Sequence, residues 1–487
     1  MSSDRLRTDR STDALDAVVV GSGPNGLVAA LTLARAGWRV VVLEANDTIG
    51  GGTRTAELTL PGFRHDVCSA IHPLGLASPA LRDLGLESVG VRWIQPDTPL
   101  AHTLRPDRAV LLERSLDATT DRLGADGRHW HRLFAPQVRA GLALSDSLLD
   151  PLRIPPRHPL HLARFGATGI RSAVSLASGF DGDDGPALLA GLAAHSVLPL
   201  DAPITGGFGM LLGTLGHLVG WPMAEGGSQA IADGLRRLLE DAGAEIRCET
   251  PVASLDELPP TRAVLCDVSP RQLLTLAGDR LPSRYARSVG RFRHGPGVFK
   301  LDWALDGPVP WADPAVGRAG TVHLGGTLEE VRRAEHDVAE GRHPDEPFLL
   351  LAQQSSFDAT RAPGGAQTLW GYCHVPHGSA VDMTERIERR IERFAPGFRD
   401  RVLARHVATT ATVEAENRNY VGGDITGGVS DLTQFFVRPT LSLRPWATPA
   451  AGLYLCSAST PPGAGVHGMC GAAAARTVLA DAARGRI

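Results

Sequence analysis

The segment between residues 16 and 44 constrains the fold of this chain more than any other part of the sequence. A β-branched run, "DAVVV", leads into "GSGPNG", where Gly21, Gly23 and Gly26 form a G-x-G-x-x-G motif. A helical apolar pattern follows over residues 27–37, and a second strand pattern, "RVVVLE", ends at Glu44. This order predicts a βαβ unit whose first strand is a buried, central strand of a parallel sheet.

Such a unit predicts a dinucleotide-binding site. One glycine allows the turn, one lets a pyrophosphate approach the helix N-terminus, and one lets the helix pack against the strand. The acid at the end of the second strand binds ribose hydroxyls. An isolated G-x-G-x-x-G motif is often only a glycine-rich loop, but the complete βαβ context favours nucleotide binding. The cofactor-binding residues expected here are Gly21, Gly23, Pro24, Asn25, Gly26, Glu44 and Ala45.

A second glycine cluster, "GGGTRT" from Gly50 onward, bears on the choice between FAD and NAD. An NAD site does not need this cluster, and NAD stays open as the alternative. The cluster resembles the "GG-x-R" signature of a family of flavoproteins, in which this segment lies along the pyrophosphate. The resemblance implies FAD as the cofactor. It adds to the expected site Gly51, Gly52, Thr53 and Arg54.

Further blocks make the resemblance specific. The chain resembles the phytoene desaturase and amine oxidase superfamily, in particular its phytoene-dehydrogenase-like branch. Besides the N-terminal fingerprint, the resemblance is carried by "WPMAEGGSQAIADGLRRLLEDAGAEIRCETPV" over residues 221–252, by the stretch around Lys300, and by "GLYLCSASTPPGAGVHGMCGAAAA" over residues 452–475. It implies that backbone groups near Val252 contact the adenine.

The last of these blocks reads as a strand, a Gly/Pro loop and a helix. The resemblance implies that the N-terminus of this helix points at the pyrimidine end of the flavin, where its dipole stabilises charge on the reduced ring. Ser457 and Pro461 depart from the pattern of bacterial desaturases, which weakens the case for a carotenoid substrate more than the case for FAD. The loop residues expected at the flavin are Gly463, Gly465 and Val466.

The separation of these blocks predicts a discontinuous architecture. The fold class expected is α/β, with a Rossmann-like FAD-binding domain of the glutathione reductase type built from residues 1–75, 218–295 and 426–487. Residues 76–217 and 296–425 are expected to form an inserted α+β substrate domain. The first insert has helical patterns over residues 117–149 and 186–195, and the second has the strand patterns "GVFKLDWAL", "PFLLLAQQSS" and "QTLWGYCHVP". An enclosed apolar pocket for a lipophilic substrate is expected between the domains.

Lys300 is the only lysine in the chain, since the other 48 of 49 basic residues are arginine. On the strand pattern "GVFKLDWAL" it shares a face with Val298, Asp302 and Ala304. Lys300 resembles the amine oxidase lysine that holds a water over flavin N5. We therefore expect it to position a water or act as a base with a lowered pKa. The alternative is an ordinary salt bridge to a neighbour.

Two other side chains are candidates for the chemistry. His467 lies in the glycine-rich loop before the last helix, and Tyr372 lies on a strand expected to line the pocket. A satisfied structural hydrogen bond and core packing, respectively, are the alternatives. The histidine and cysteine spacings contain no metal site, and no nucleophile motif such as G-x-S-x-G is present.

Composition limits the partners and the compartment. A formal net charge of −4 without a basic excess argues against nucleic acid binding. The six cysteines have no disulfide or metal spacing and are expected to be reduced thiols of a cytoplasmic protein. The opening "MSSDRLRTDRSTD" lacks an apolar core and is expected to be a disordered lead-in rather than a signal peptide. Residues 209–223 predict a buried helix near a pocket, with peripheral membrane contact as the alternative.

These features predict an FAD-dependent oxidoreductase that dehydrogenates a lipophilic or small organic molecule by hydride transfer to flavin N5. Relatives of this kind also include isomerases that use reduced FAD and amine oxidases that pass electrons to O₂, and both stay open. Prenyl-protein escort proteins share the fold without chemistry, but the intact set of fingerprint glycines and Glu44 argues against that class.

Overall fold

A five-stranded parallel sheet forms one half of the protein. The computed structural model describes residues 15–151, 156 and 158–487, so the predicted disordered lead-in lies outside the described residues. The sheet joins strands from the beginning, the middle and the end of the chain, and all neighbours run parallel. Its strands in spatial order are Leu453–Leu455, Ala263–Cys266, Ala17–Val20, Val40–Leu43 and Glu245–Arg247.

The first strand is buried on both faces, as its apolar sequence predicts. Ala17 and Val19 contribute to the core shared with the helices Pro24–Arg35 and Met469–Ala483. Val18 and Val20 contribute to the core on the opposite face, beneath residues 270–281. The predicted fold class, α/β with a Rossmann-like domain, is therefore confirmed.

A seven-stranded mixed sheet forms the other half. All neighbouring strands are antiparallel except Ala319–Leu324 and Thr98–Arg105, which run parallel. In spatial order its strands are Val402–Ala408, Gly297–Leu305, Gln367–Val375, Leu349–Ala352, Ala319–Leu324, Thr98–Arg105 and Arg108–Leu112. Two short antiparallel pairs accompany the sheets: Thr55–Ala56 with His65–Asp66, and Trp93–Ile94 with Met223–Ala224.

The predicted strand at Lys300 spans Gly297–Leu305 and is buried along its whole length. Phe299, Leu301 and Trp303 pack with the helix Thr384–Phe394 in one core. Val298 belongs to a separate cluster on the opposite face, so Lys300 faces the interior of the molecule rather than solvent.

Helices surround both sheets. Those with residues in the parallel-sheet half are Pro24–Arg35, Pro73–Ala77, Pro79–Leu84, Gln229–Asp241, Pro270–Ala277, Ser283–Val289, Leu432–Phe436 and Met469–Ala483. Those over or beside the mixed sheet are Leu116–Arg122, Gly127–Ala140, Leu142–Leu149, Pro159–Gly169, Ala173–Ala177, Asp184–Ala194, Thr205–Leu218, Leu328–Ala339, Thr384–Phe394 and Thr410–Glu416. No helix within the described part of the chain is long and apolar enough to cross a bilayer.

The segment predicted as a buried helix near a pocket is confirmed as one. The helix Thr205–Leu218 buries Met210 and Leu215, and Trp221 just beyond its end is also buried. His217 Nε2 accepts a hydrogen bond from the Trp130 indole, and His217 Nδ1 donates to the Glu113 carbonyl. The residues of this segment are buried or half-buried, and none is fully exposed.

The strands Thr98–Arg105 and Arg108–Leu112 were not predicted, because the patterns found in the first insert are helical. Seven of the eight residues in Thr98–Arg105 are buried. A strand buried on both faces lacks the alternation of polar and apolar residues that identifies a half-exposed strand in a sequence. The expected domain boundaries stay a prediction. Leu81, Leu86 and Val91 lie beyond the expected boundary at residue 76, yet they pack in the core of the parallel sheet.

Candidate dinucleotide and substrate site

One cavity of about 590 Å³ borders both halves of the molecule. We call it the main cavity. On one side it is bordered by the first βα turn of the parallel sheet, and on the other by apolar residues of the mixed sheet and of the helices above it. Predicted cofactor residues that line it are Gly21, Gly23, Pro24, Asn25, Glu44, Ala45, Gly51, Gly52, Val252, Gly465 and Val466.

The backbone conformation and close contacts of the turn require glycine at all three fingerprint positions. Gly21 has a φ of +99°, a conformation that favours glycine. A Cβ atom at Gly26 would lie 2.2 Å from the Gly21 carbonyl oxygen, so this glycine lets the helix pack onto the turn rather than facing the cavity. A Cβ atom at Gly23 would lie 2.6 Å from a carboxylate oxygen of Asp267. The start of the helix Pro24–Arg35 is thereby left open to a ligand.

Glu44 is buried and accepts hydrogen bonds from four donors. Ser22 donates to Oε2 through its amide (3.0 Å) and its hydroxyl (2.5 Å). Asn46 donates to Oε1 through its amide (2.9 Å) and its side chain (3.1 Å). A carboxylate has about four acceptor positions. Ribose hydroxyls bound at Glu44 would therefore replace one of the side-chain donors rather than add to them.

Asp267 is a site residue that the sequence did not indicate. It follows the strand Ala263–Cys266, lines the main cavity, and accepts the Gly26 amide at 3.0 Å. Burial raises the pKa of Asp267 to about 7, the Gly26 amide lowers it, and Glu44 raises it. A neutral carboxyl at this position tolerates a neighbouring phosphate, whereas a carboxylate repels it.

The start of this helix fits a dinucleotide pyrophosphate. The helix has twelve residues and no acid in its first turn, so its positive end is not neutralised from within. Asn25 Oδ1 is buried without a hydrogen-bond partner among the described residues, which leaves a polar atom beside the turn for a ligand to satisfy. The glycine cradle and this unpaired atom are the two observations that support the fit.

The second glycine cluster lies against the first. A Cβ atom at Gly51 would be 3.1 Å from Gly23 Cα, and one at Gly52 would be 2.1 Å from the Tyr420 hydroxyl. Thr53 is fully buried and donates to the Gly50 carbonyl, so its role is to hold the turn.

The Arg54 guanidinium interacts with other groups of the protein. It donates to the Gly51 carbonyl (3.1 Å) and the Glu416 carbonyl (2.7 Å), and it forms an ion pair with the Glu416 carboxylate at 3.3 Å. The loop of residues 415–420 therefore closes over the glycine cluster and lines the main cavity. This loop falls within residues 296–425, which the sequence predicts to be part of the substrate domain.

Only part of the C-terminal loop lines the main cavity. Gly465 and Val466 line the main cavity, whereas Gly463 does not. His467 is fully buried and borders neither cavity described here. Its Nε2 lies 3.2 Å from the Gly463 carbonyl, and its Nδ1 accepts the Met469 amide at 3.1 Å. Its position corresponds to the structural alternative, in which the ring fixes the loop before the last helix.

Lys300 lies beside a smaller cavity of about 40 Å³, which we call the side cavity. Its ammonium forms a buried ion pair with Asp302. Burial opposes ionisation of Asp302, but Lys300, His406 and His65 together hold the pKa of this carboxyl below its usual value. Lys300 therefore forms the salt bridge that was the alternative to a role in the chemistry. It also lines the side cavity.

The side cavity shares part of its wall with the main cavity. The residues lining both are Gly51, Cys68, Trp370, Tyr372, Glu416, Asn417, Tyr420 and Ile425. Tyr372 is thus placed between Lys300 and the main cavity, and burial keeps its hydroxyl protonated by raising its pKa. A cavity of this size accommodates water next to the Lys300 ammonium.

The far part of the main cavity is an apolar chamber. Ile71, Val197, Leu212, Leu350 and Trp370 line it, and His195 is among its few polar residues. In the sequence His195 is only the last residue of a helical pattern over residues 186–195. Nothing in its local sequence indicates which residues it contacts. No cluster of three or more metal-ligating side chains occurs among the residues that the structure describes.

Comparisons with known proteins agree with this architecture. The NAD(P)-binding Rossmann-like domain family matches residues 19–84. Pyridine nucleotide-disulfide oxidoreductase domain-containing protein 2 of Mus musculus is 28% identical, covering 96% of this chain and 93% of that protein. Phytoene desaturase (neurosporene-forming) of Cereibacter sphaeroides is 25% identical over 98% of this chain and 96% of that protein. Wild-type putrescine oxidase bound to putrescine has a similar fold, with a TM-score of 0.61, 17% identity, and coverage of 96% of this chain and 99% of the oxidase.

The parallel sheet with its glycine turn, the cavity beside it and the full-length relatives define an oxidoreductase with a Rossmann-like dinucleotide-binding domain. The comparisons support a relation to the superfamily of oxidoreductases that contains the phytoene desaturases and the amine oxidases.

Proposed function

We propose that this protein binds FAD and dehydrogenates a lipophilic organic molecule by hydride transfer to flavin N5. One observation carries the proposal: the main cavity is continuous from the dinucleotide turn to the apolar chamber. A cofactor held at Gly23 and Glu44 and a substrate held against Leu212 and Leu350 would therefore share one enclosed space. An apolar enclosed site is the usual place for a lipophilic ligand.

Two features support FAD rather than NAD. The second glycine cluster, at Gly51 and Gly52, lines the same cavity as Gly23 and lies against it, as the flavoprotein signature implies. The loop before the last helix also reaches the cavity, through Gly465 and Val466. The N-terminus of the helix Met469–Ala483 then directs its positive end toward that loop, where it favours added negative charge.

Bound FAD supplies the oxidising power for removal of a hydride. The chain itself orients the substrate and excludes water. The apolar wall formed by Ile71, Leu212 and Leu350 gives the substrate its environment. Lys300, fixed by Asp302, holds a water in the side cavity and keeps a positive charge behind Tyr372. Because the ammonium is ion-paired, Lys300 acts through its charge and its hydrogen bonds rather than as a base.

The direct test is anaerobic reduction of the bound flavin. The purified protein is expected to show the visible absorbance of flavin, and a lipophilic alcohol, amine, polyene or acyl compound is expected to bleach it. Protein that is colourless and does not take up FAD would overturn the proposal. Product formed without bleaching would instead identify an isomerase, and peroxide formed in air would identify an oxidase.

A matched pair of variants connects this test to the site. Gly23→Ala places a methyl group 2.6 Å from the Asp267 carboxylate, at the entrance to the helix N-terminus, and is expected to abolish flavin binding. Gly166→Ala lies in the helix Pro159–Gly169, where a Cβ atom meets nothing within 4 Å, and is expected to keep the flavin. Equal flavin content in both variants would place the cofactor elsewhere.

A further inference from the structure

Two buried histidines and one half-buried histidine connect the mixed sheet with the wall of the main cavity. His195 follows the helix Asp184–Ala194 and lines the cavity. His323 lies on the strand Ala319–Leu324, directly opposite His102 on the neighbouring strand. His195 Nε2 is 3.1 Å from His323 Nε2. The rings of His323 and His102 are nearly perpendicular, with centroids 6.0 Å apart.

Gly191 makes this arrangement possible. A Cβ atom at this position would lie 2.4 Å from His102 Nδ1 and 2.5 Å from His323 Nδ1, so any other residue would push the rings away. Both Nδ1 atoms are buried and have no hydrogen-bond partner among the described residues. The two nitrogens therefore lie beside the same glycine.

A backbone carbonyl determines which nitrogen of His102 carries its proton. The Gly326 oxygen can only accept, so His102 Nε2, at 2.8 Å, carries the proton, and His102 Nδ1 keeps its lone pair. The bond between His195 Nε2 and His323 Nε2 needs one donor and one acceptor, and a proton on His323 Nδ1 makes His323 Nε2 the acceptor. His195 Nε2 then donates to His323, and His195 Nδ1 is left with its lone pair. No described residue bonds to this nitrogen, so it is available to a ligand in the cavity.

The three rings are neutral in this environment. Burial lowers the pKa of His102 to about 4, with the Gly326 carbonyl opposing the shift. Burial, with a smaller contribution from His374, lowers the pKa of His195 to about 3. Burial and the two neighbouring imidazoles lower the pKa of His323 well below its usual value. A neutral imidazole has one donor and one acceptor nitrogen, as the assignment of protons requires.

The chamber around His195 contains other polar atoms without partners. Thr321 Oγ1 and Trp370 Nε1 are buried and unpaired among the described residues, and both residues line the main cavity. Val197, Leu212 and Leu350 supply the surrounding apolar surface. Unpaired polar atoms in an apolar chamber suit an amphipathic ligand whose body is apolar and whose single polar group makes the hydrogen bonds.

We propose that His195 is a catalytic residue whose Nδ1 accepts a proton from a hydroxyl or amine group of the substrate. The proposal rests on the proposed function and names the substrate class: a primary or secondary alcohol or amine with an apolar body. The C–H bond breaks, and both of its electrons leave with the hydride to oxidised FAD. The O–H or N–H bond breaks, its electrons form the new C=O or C=N bond, and its proton stays on His195.

The hydride balances the charge of the proton that His195 receives. The hydride carries one negative charge to the flavin as the proton arrives, so the cavity gains no net charge. Glu335, which is 3% exposed, places both carboxylate oxygens 2.9 Å from His374 Nδ1. His374 opposes positive charge on His195, since it lowers the pKa of that ring. The Glu335 carboxylate contacts His374 and not His195, so the hydride is what balances the charge on His195.

Rapid anaerobic kinetics with decanol, decylamine and decene test the proposal. The alcohol or the amine is expected to bleach the flavin, and decene, which has no O–H or N–H group, is expected not to. His195→Gln and His195→Phe are expected to slow bleaching by about 10²–10⁴-fold while keeping the flavin and the Tm. The solvent deuterium isotope effect on bleaching is expected to disappear in both. His217→Gln replaces a buried histidine outside the cavities and is the control, with an unchanged rate.

His323 is a positioning residue and has its own test. His323→Gln retains an acceptor for His195 Nε2 and is expected to bleach at nearly the wild-type rate, whereas His323→Leu is expected to be slower by tenfold or more. Nitrogen NMR of protein labelled at histidine is expected to show His195 protonated at Nε2 and not at Nδ1 in the wild type and in His323→Gln. This measurement needs no substrate.

The outcomes separate this inference from the proposed function. Protein that neither contains nor binds flavin overturns the proposed function. Flavin that is bleached only by decene, or equally fast in wild type and His195→Gln, overturns the inference and leaves the proposed function standing. A proton on His195 Nδ1 also overturns the inference. Flavin that none of the three compounds bleaches excludes the substrate class.

Discussion

At the scale of single residues, the buried charges are paired or neutralised by their surroundings. Lys300 is paired with Asp302, and Arg361 is paired with both Asp66 and Asp358. Removing one member of a buried pair leaves an uncompensated charge and costs more than the pair contributes. Variants at such positions therefore need a second substitution before their effect on chemistry can be interpreted.

Lys300→Met is expected to lower the free energy of unfolding by about 3–5 kcal/mol, because Asp302 loses its cation. The double variant Lys300→Met, Asp302→Asn removes both charges and is expected to recover most of that loss in denaturant unfolding. If Lys300 holds a water beside the flavin, flavin reduction stays slow in the double variant. A wild-type reduction rate in the double variant would restrict Lys300 to a structural role.

Asp267 predicts a pH dependence of cofactor binding. Its pKa of about 7 lies above the 3.8 of an unperturbed aspartate, so the folded state favours the neutral form. Unfolding therefore becomes easier as pH rises from 3.8 to about 7, and FAD affinity falls as the carboxylate forms beside the phosphates. Asp267→Asn is expected to bind FAD about tenfold more tightly than wild type at high pH, the equivalent of one pKa unit.

Fluorescence titration of the deflavinated protein across this pH range measures the effect. Glu44→Gln is the comparison, because it removes a ribose acceptor and is expected to weaken binding at every pH. A wild-type affinity that does not change between acid and alkaline pH would mean that Asp267 does not face the pyrophosphate.

At the scale of elements, the two helices that frame the dinucleotide turn are held by glycine contacts. The helices Pro24–Arg35 and Met469–Ala483 share one core beside the parallel sheet. A Cβ atom at Gly471 would lie 1.8 Å from the Asn25 carbonyl oxygen, which is backbone and cannot rotate away. This contact joins the last helix of the chain to the first.

Gly471→Ala is expected to lower the free energy of unfolding by about 1–3 kcal/mol, the usual cost of overpacking, and to weaken flavin binding by displacing Asn25. Gly166→Ala, where a Cβ atom has open space, is expected to raise it by up to about 1 kcal/mol through helix propensity. Urea unfolding followed by far-UV circular dichroism compares the two. Equal stability of the two variants would show that the first and last helices can move apart without cost.

At the scale of the whole molecule, the cofactor is expected to bind across segments far apart in sequence. The main cavity is lined by residues 20–25, 250–252, 267–269, 415–420 and 464–466. A ligand that contacts all of them stabilises the folded state and not the unfolded chain.

FAD added to the deflavinated protein at a hundredfold excess over its Kd is expected to raise the free energy of unfolding by about 2.7 kcal/mol, with a higher Tm. NAD at the same concentration is expected to give a smaller shift, because it leaves the loop at Gly465 and Val466 without its flavin contact. Differential scanning fluorimetry compares the two ligands. An equal or larger shift with NAD would contradict the choice of FAD.

The sequence alone determined the parts of this protein that depend on near neighbours. The βαβ unit, its glycine turn and Glu44 lie within thirty residues of one another, and their pattern predicted the parallel sheet and the dinucleotide site. Strand alternation placed Lys300 and Asp302 on one face, and the structure shows them as a pair. The cofactor residues Gly463, Gly465 and Val466 came from family resemblance, and the structure brings only the latter two to the main cavity.

Only the tertiary structure decided which distant side chains meet. Asp267 reaches the Gly26 amide across 241 residues of sequence, and His195 reaches His323 across 128. No local pattern encodes such contacts, because they depend on how the helices and sheets pack and not on the spacing along one element. The same packing removed His467 from the cavity and placed His195 in it. The dinucleotide turn was therefore predictable from sequence, whereas the substrate chamber and its polar group were not.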